Sequence, residues 1–402
     1  MKRKSYLIGF AVLLLFGACD NDVAVKEVNG IPIVEKISFS ETEGVANHSL
    51  NEFGVSFFDA AVSEFSESDN VVVSPLSASL CVAMLANSAD QEMEDAIMRV
   101  LGKPSLSVLN TTCNQLMRYL PSDVNGGELL LANSCWVAEG YDPLAAWKES
   151  MKKTYYADVY SIDFSKEQEI ERINKWCDEK TNGLIPEVDF VFPENTVISL
   201  INALYFNGKW DKKFNKDLTD VQPFYGRDRE TKVSMMHMTG TLAVSKDDDF
   251  TAVELPMGNN RMRLYLPEEG VKVSDLVSRL SYAKIDNLSW EKANVELALP
   301  KFRADNSFEV SDIFHKLGLP TTCGLDKLGL YGDMPLAINQ QTYTSIDEEG
   351  AKAAAVTTTG FATSTGGEFL EKVVLRFDRP FMYAIENSTT GTIIMMGVIN
   401  NL

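Results

Sequence analysis

Three histidines, His48, His237 and His315, could exchange protons near neutral pH, and none lies in a catalytic motif. The sequence has no H-E-x-x-H metal motif, no G-x-S-x-G nucleophile motif and no glycine-rich phosphate loop. His315 is expected to pack near a helix C-terminus, and His237 has no partner nearby in the sequence. Acidic pairs such as Glu348-Glu349 are too frequent to indicate a glycosidase. We therefore predict that the chain is not an enzyme and needs no cofactor or metal.

The cysteine spacing also excludes two kinds of site. No C-x-x-C pair occurs, so neither a zinc site nor a thioredoxin-type redox site is supported. We expect the cysteines after Cys19 to be mostly buried thiols, and one disulfide remains an alternative. The six cysteines are Cys19, Cys81, Cys113, Cys135, Cys177 and Cys323.

Residues 347–372, DEEGAKAAAVTTTGFATSTGGEFLEK, have a pattern found nowhere else in the chain. In an extended chain successive side chains face opposite sides. One face would then be uniformly small, which would let the segment enter a sheet without displacing core volume. Threonine and valine favour a strand, alanine alone favours a helix, and a glycine-rich coil favours a linker. The small face is Ala351, Ala353, Ala355, Thr357 and Thr359, and the other is Lys352, Ala354, Val356, Thr358 and Gly360.

Helices are predicted mainly in the first half of the chain and strands in the second. NEFGVSFFDAAVSEF places Phe53, Phe57, Phe58, Ala61 and Phe65 on one helical face. PLSASLCVAMLANSA and EIERINKWCDEKTNGLI are two further helices. Strand-like runs include TVISLINALYF, TAVELPM, MRLYLP, NVELALPKF, VVLRF and TIIMMGVI. This order predicts an α+β fold with large, mostly antiparallel sheets.

Residues 1–18 are predicted to be a lipoprotein signal peptide. Lys2, Arg3 and Lys4 precede an apolar stretch from Leu7 to Ala18, which is too short to span a bilayer comfortably. Residues 16–19, Phe-Gly-Ala-Cys, resemble the bacterial lipobox, in which Cys19 would be lipidated. The alternative is an ordinary signal peptide with a chance cysteine. The predicted product is anchored in the bacterial outer membrane by lipid, facing either the periplasm or the outside.

Length and charge limit the domain organisation and the partners. Residues 19–45 are polar and acidic and are predicted to be a tether, and residues 46–402 are predicted to form one domain. The formal charge of −20 makes nucleic acid an unsuitable partner. A basic partner fits better, although the acidic surface could serve solubility alone.

Several motifs together resemble the serpin family over some 350 residues, in the family's order and spacing. The hinge of that family is similar to residues 347–357. NVVVSPLSASL, INKWCDEKTNGLI and LINALYFNGKWDKKFNKDLT resemble three further segments, and LALPKF and DRPFMYAI complete the series. The resemblance predicts a monomeric serpin fold with an exposed reactive-centre loop at about residues 347–376.

The resemblance implies a suicide-substrate inhibitor that traps a serine protease as a covalent acyl complex. The cut loop would insert into the central sheet as a new strand. Small hinge residues predict a working inhibitor; Lys352 stands where eukaryotic members usually have glutamate, on the outward face. Gln340 replaces a histidine found in many members. The implied hinge is Glu349, Gly350, Ala351, Lys352, Ala353, Ala354, Ala355, Val356 and Thr357, and the implied sheet-opening latch is Ser74, Ser77, Asn202, Trp210 and Gln340.

Counting from two different reference residues gives two different positions for the bond that the protease would cut. Counting about fourteen residues from Gly350 gives Ser364-Thr365, whereas counting about eleven back from Pro380 gives Phe369-Leu370. We prefer the hinge count, because the length of the inserted strand decides where the protease ends. The small residues Thr363 and Ser364 suit an elastase-like pocket. Phe361, Thr363, Thr365 and Phe369 remain alternative sites, and the two phenylalanines keep chymotrypsin-like targets open.

Two other functions fit less well. One is a non-inhibitory serpin-fold binding or structural lipoprotein, which would share the fold without trapping a protease. The other is a glycan-acting lipoprotein, which would need a catalytic pair that the sequence does not supply.

Overall fold

The structure is a computed structural model of the chain, and the residues described are 26–122, 127–185, 192, 195–350 and 370–402. The fold is α+β, as predicted, with helices packed on two large sheets.

The described residues form nine α-helices, several of which begin at a polar cap. Ser40 and Glu43 make a capping box at the start of α1, and Ser74 caps α2 ahead of Pro75. The predicted apolar face of α1 is confirmed by the burial of Phe53, Phe57, Phe58 and Ala61. The helices are α1 Glu41–Glu64, α2 Pro75–Ala86, α3 Gln91–Val100, α4 Leu106–Tyr119, α5 Ala145–Tyr155, α6 Glu167–Lys180, α7 Val273–Arg279, α8 Tyr282–Asp286 and α9 Ser311–Lys316.

The described strands form two large sheets and one small hairpin. In the first half of the chain the strands are β1 Glu27–Val28, β2 Ile31–Pro32, β3 Val71–Val73, β4 Glu128–Ala138, β5 Asp158–Ile162 and β6 Ile198–Asn207. In the second half they are β7 Asp220–Tyr225, β8 Glu230–Lys246, β9 Phe250–Met257, β10 Asn260–Pro267, β11 Glu291–Pro300, β12 Phe302–Glu309, β13 Thr322–Leu325, β14 Leu330–Ile346, β15 Lys372–Arg376, β16 Phe381–Asn387 and β17 Ile393–Ile399.

The strand order separates the two sheets clearly. A six-stranded sheet runs β12-β14-β6-β4-β5, with β13 also paired to β14. A nine-stranded sheet runs β15-β11-β8-β9-β10-β16-β17-β3, with β7 also paired to β8. Described pairs are antiparallel except β4 with β5, β6 with β14, and β11 with β15. The mostly antiparallel prediction is therefore confirmed.

Helix α2 lies between the two sheets at the centre of the core. All its residues are buried, and it contacts both β6 and β17. A helix that is apolar on every side is stable only when it is covered on every side. This central helix carries the cap residue Ser74 to the middle of the six-stranded sheet.

The segment before α1 packs on the domain, which differs from the predicted tether. Asn29 and Gly30 both have positive φ, 53° and 78°, and they close the β1–β2 hairpin. The Asn29 side chain donates to the carbonyls of Leu131 (3.3 Å) and Lys180 (3.0 Å). Ile31 is only 1% exposed. From Lys26 onward, residues of the expected tether belong to the folded body, and α1 begins before residue 46.

The five cysteines after Cys19 are all unpaired and buried, so the disulfide alternative is not realised among them. Burial raises the pKa of Cys81, Cys113, Cys177 and Cys323 to about 12. It raises the pKa of Cys135 as well. Within the described ranges no helix combines the length and the apolar character needed to cross a bilayer.

Candidate functional site: the sheet opening and the hinge

The junction of β6 and β14 is the centre of the six-stranded sheet. These strands pair directly and in parallel, from Ile198 opposite Leu336 to Tyr205 opposite Tyr343. Every residue of β6 is buried, since helices cover one face of the sheet and the core lies behind it. The pairing stops at Tyr205 and Tyr343, and beyond it the two strands lead to Trp210 and to the Asp347–Gly350 turn.

Ser74 and Gln340 form a two-way contact behind this junction. The Gln340 side chain accepts from the Ser74 backbone N–H and donates to the Ser74 carbonyl, both at 2.9 Å. Ser74 Oγ donates to the Ile394 carbonyl at 2.7 Å, so β17 joins the same contact. Both side chains are almost fully buried. The amide of Gln340 therefore ties β14 to the start of α2 without a titratable group.

Asn202 and Ser77 lie near this contact and are incompletely satisfied. Asn202 is opposite Gln340 in the sheet register and donates to Asn133 Oδ1 at 2.6 Å. Asn202 Oδ1 and Ser77 Oγ have no hydrogen-bond partner among the described residues. The same holds for Asn339 Oδ1 and Gln341 Oε1 on β14. These four polar atoms lie together on the facing strands β6 and β14 and at the start of α2.

Trp210 does not lie with the other predicted latch residues. It is only 2% exposed and packs edge-on against Phe214. Its indole N–H donates to the Asp347 carbonyl at 2.9 Å, and its backbone N–H donates to the Glu349 carbonyl at 3.1 Å. Trp210 therefore holds the hinge end of β14, whereas Ser74 and Gln340 hold the middle of the strand.

The hinge begins with a tight turn from Asp347 to Gly350. Backbone bonds join Asp347 and Gly350 in both directions, at 2.8 and 3.2 Å. Gly350 has φ of +116°, and a Cβ there would lie 2.2 Å from the Gly208 carbonyl oxygen. Glycine is therefore required both by the backbone conformation and by the close approach of the chain after β6.

Lysines hold the two glutamates of the turn. Glu348, 4% exposed, pairs with Lys301 at 2.7 Å and accepts from Thr219 Oγ1 at 2.7 Å. Glu349, 8% exposed, pairs with Lys213 at 2.5 Å and Lys216 at 2.9 Å. These contacts tie the end of β14 to the segment after β6 and to the residue between β11 and β12.

The pKa values of the three acids of the turn are shifted in different directions. Burial opposes ionisation of Glu348, but the hydrogen bonds from Lys301 and Thr219 outweigh it and lower its pKa. The side-chain bonds from Lys213 and Lys216 lower the pKa of Glu349. Burial raises the pKa of Asp347. At neutral pH the glutamates are therefore ionised and paired.

Several predicted residues lie outside the described residues. They are the hinge residues Ala351, Lys352, Ala353, Ala354, Ala355, Val356 and Thr357, the reactive-bond candidates Phe361, Thr363, Ser364, Thr365 and Phe369, and the lipidation candidate Cys19. The remaining hinge residues, Glu349 and Gly350, are described above.

Two histidines have partners that bear on the earlier expectations. His237 was expected to lack one, but its Nε2 lies 2.9 Å from Asp220 Oδ1 on the neighbouring strand β7. The two residues are 17 positions apart in the sequence, and only the pairing of their strands brings them together. His315, in the last turn of α9, has its Nδ1 2.9 Å from the carbonyl of Leu319, which follows the helix, so it lies near a helix C-terminus as predicted.

Sequence reasoning missed the lysines that hold the hinge. Lys213 and Lys216 are in a quoted motif, and Lys301 follows the LALP run, yet no role was assigned to them. The available signal was the acidic pair Glu348-Glu349 preceding a loop, because two carboxylates beside a buried strand end need cations. Which lysines supply them depends on the register of the sheet.

Comparisons with known proteins agree with this geometry. The profile of the family Serpin (serine protease inhibitor) matches residues 48–402. An uncharacterised serpin-like protein of Methanosarcina mazei is 27% identical, and the alignment covers 98% of this chain and 97% of that protein. Serpin B3 of Homo sapiens is 27% identical over 87% of this chain and 98% of its own length.

Solved structures give the same result. Tengpin, a thermophilic serpin in its native state, superposes with a TM-score of 0.80 at 26% identity, covering 92% of this chain and 96% of its own. The native stressed conformation of AtSerpin1 from Arabidopsis superposes with a TM-score of 0.78. Because the family profile spans residues 48–402, the chain belongs to the serpin family, whose members are generally inhibitors of serine proteases rather than enzymes.

Proposed function

We propose that this serpin is an inhibitor that traps elastase-like serine proteases as covalent acyl complexes. The observation that carries the proposal is the direct β6–β14 pairing, with the hinge at its open end. A strand that starts at Gly350 and enters this junction would pair with β6 on one side and β14 on the other. Insertion would carry an attached protease along the length of the sheet.

The energetics of the junction support insertion. Entry of a strand separates the eight β6–β14 register pairs and forms two new ladders in their place. With about fourteen inserted residues, at roughly 1 kcal/mol net for each new backbone bond, the gain is on the order of ten kcal/mol.

The bond and the target class follow from the loop sequence. Attack on Ser364-Thr365 would give an acyl-enzyme on the Ser364 carbonyl, with Thr365 leaving as the new N-terminus. A shallow pocket accepts Thr363 and Ser364. Phe361, Thr363, Thr365 and Phe369 are the alternative sites, and no Lys or Arg lies between Lys352 and Lys372 to suit a trypsin-like target.

The alternative is a serpin-fold binding or structural lipoprotein that does not inhibit. It shares the closed β6–β14 junction, but the small hinge residues Ala351, Ala353 and Ala355 favour an inserting loop over it. The two functions differ in whether the cleaved loop inserts.

The test uses the mature chain with Cys19→Ser, which carries no lipid, mixed with neutrophil elastase. We expect a band near the summed mass on a denaturing gel, and a released peptide beginning at Thr365 by mass spectrometry. Complete cleavage without that band would mean that elastase treats the loop as a plain substrate. If chymotrypsin and cathepsin G also failed to be trapped, and cleavage did not raise the heat stability, the non-inhibitory alternative would replace this proposal.

A pair of variants separates insertion from mere cleavage. Ala353→Arg puts a charge on the small face of the hinge, where burying it in the sheet is costly. We expect cleavage at the normal rate with little covalent complex. Ala354→Arg, on the opposite face, is the matched control and should still trap elastase. Equal trapping by both variants would contradict the proposed inward face.

We also propose that lipid on Cys19 anchors the protein in the outer membrane. The basic start, the short apolar stretch and the position of Cys19 support this. Expressed in a bacterium that makes lipoproteins, the native chain should sediment with membranes and take up labelled palmitate, and Cys19→Ser should do neither. Unchanged membrane association of Cys19→Ser would indicate an ordinary signal peptide. Protease shaving of intact cells distinguishes surface from periplasmic orientation.

A further inference from the structure

A cavity of about 450 Å³ lies away from the hinge and the latch. It is formed where the end of α1, the β7–β8 turn, the β10–α7 connection and the β15–β16 connection meet. None of its lining residues takes part in the contacts of Gln340, Trp210 or Gly350 described above. The volume is in the range of small-molecule sites, which is about 300–1,000 Å³.

The walls of the cavity are apolar and are supplied by well-anchored elements. Val71 and Val398 are fully buried residues of paired strands, so this part of the wall is preformed. The aromatic side chain of Tyr225 is 52% exposed, so its ring can contact a ligand at the rim of the cavity. The apolar lining includes Val62, Val71, Pro267, Val271, Pro380 and Val398.

Three of the four charged side chains that line the cavity are cationic. They are Arg227, Lys272 and Arg379, and the fourth is the carboxylate Glu67. Cations are therefore locally enriched among the lining residues of a chain whose formal charge is −20. A concave site with excess positive charge concentrates anions.

Glu67 occupies the position that an anionic ligand would take. It pairs with Arg227, and its Oε1 lies 3.2 Å from Lys272 Nζ. The three side chains are between 40% and 53% exposed, and ion pairs this exposed are weak. Arg379 is held separately, by donation to the Pro267 carbonyl at 2.9 Å and by an ion pair with Asp378 at 4.0 Å. A ligand carboxylate could therefore displace Glu67 and find both cations in place.

We propose that this cavity binds a small molecule with an apolar body and one carboxylate. The apolar part fills the space beside Val62, Val271 and Pro380, which are partly exposed, and the carboxylate replaces Glu67 between Arg227 and Lys272. An aromatic body gains an additional contact with Tyr225. Because the cavity shares no residue with the hinge or the latch, this proposal does not depend on protease trapping.

The first test compares three probes that share one apolar body. They are 1-naphthoate, 1-naphthylmethanol and 1-naphthylmethylammonium, titrated into the mature Cys19→Ser chain by isothermal calorimetry. We expect saturable one-to-one binding of the carboxylate, at least about tenfold weaker binding of the alcohol, and no binding of the amine, because a charge-assisted bond is lost and then reversed. Equal binding of the alcohol, or no saturable binding of naphthoate, would overturn the proposal.

Variants then locate the probe within the chain. Arg227→Gln and Lys272→Gln should each weaken naphthoate binding by about two- to fivefold, the range of a single exposed ion pair. Glu67→Gln should strengthen it several-fold, because the competing carboxylate is removed. Lys148→Gln, at an exposed ion pair outside the cavity, is the matched control and should change nothing. Melting temperatures of all four variants verify that they fold.

The opposite effects expected for the two cation variants and for Glu67→Gln on naphthoate binding distinguish a binding site from a purely structural cluster. If the three charges only stabilised the fold, removing Glu67 would not improve binding. Weaker or unchanged binding by Glu67→Gln, or unchanged binding by both cation variants, would show that naphthoate binds elsewhere.

Discussion

Gly350 is the residue at which the end of β14 comes closest to the chain after β6. Its φ of +116° is unfavourable for any residue with a side chain, and the Gly208 carbonyl leaves no room for a Cβ. Both the positive φ and the lack of room for a Cβ therefore require glycine at this position. It is also the point at which an inserting loop would begin.

Gly350→Ala should destabilise the uninserted domain by about 2–4 kcal/mol, because strain and a backbone clash add together. Urea unfolding of the mature chain measures this. Gly44→Ala is the control, since Gly44 lies inside α1 with nothing within 4 Å of an added Cβ. Alanine there should be neutral or stabilise by up to about 1 kcal/mol. Equal effects at the two positions would contradict the described turn.

Lys301 is the cation that holds the buried Glu348, so its removal should be visible in the pH dependence of stability. A carboxylate with a lowered pKa contributes stability above its unfolded value of 4.5 and loses it as the pH falls through the folded pKa. We expect Lys301→Met to lose about 2 kcal/mol at pH 7. Below pH 4.5 its stability should fall less steeply than that of the native chain.

Asp347 contributes to the same difference. Burial raises the pKa of Asp347 and the charge of Lys301 opposes that rise, so removal of Lys301 should raise this pKa further and also make the stability of Lys301→Met fall less steeply at low pH. Lys175→Met, at an exposed pair with Glu179, is a control that should alter neither the stability nor its pH profile. Parallel pH profiles for Lys301→Met and the native chain would mean that Lys301 does not control Glu348.

At the scale of elements, the middle of β14 is tied to α2 by an amide instead of an imidazole. Gln340 has no proton to gain near neutral pH, and its two bonds to Ser74 need one acceptor and one donor. The contact between these elements should therefore keep its strength from pH 8 to pH 5.5.

Gln340→His should make this contact sensitive to pH. A neutral imidazole can accept from the Ser74 N–H, but a protonated one cannot, and burial lowers the pKa of a histidine. Stability should then fall as pH drops through about 6.5, by up to about 1.4 kcal/mol per pH unit. Gln340→Asn is the control that weakens the contact equally at every pH. A flat profile for Gln340→His would contradict the described geometry.

Much of the element structure could be predicted from local patterns. Short stretches of sequence are enough to predict the apolar face of α1, the Ser-Pro start of α2 and the strands from Thr251 onward. The contacts of Asn202 with Asn133, or of Glu348 with Lys301, join residues far apart in the sequence. Such contacts depend on strand register, which local patterns do not supply.

At the scale of the whole molecule, the hairpin before α1 belongs to the folded domain. The sequence contained a sign of this in Asn29-Gly30, the dipeptide typical of a two-residue hairpin turn. The acidic composition of residues 19–45 and Pro32 led instead to the tether prediction. The two-residue strands β1 and β2 are too short for their periodicity to be informative.

Ile31→Ala tests whether this hairpin stabilises the domain. Ile31 is 1% exposed, so removing its side chain should cost about 2–4 kcal/mol of the free energy of unfolding. Val45→Ala, at a residue that is 62% exposed, is the matched control and should cost less than about 0.5 kcal/mol. If Ile31→Ala behaved like Val45→Ala, residues 26–34 would act as a free tether.

The five buried thiols have a practical consequence for observing the molecule at work. Burial and a raised pKa keep sulfur in its unreactive protonated form, so alkylating reagents should spare the native domain. In a chain with Cys19→Ser, a single cysteine introduced on the surface would then be the one site that takes up a fluorophore. Two such dyes, one on the loop and one in place of the exposed Tyr331 near the start of β14, would report the arrival of the loop in the sheet as energy transfer, molecule by molecule and in real time.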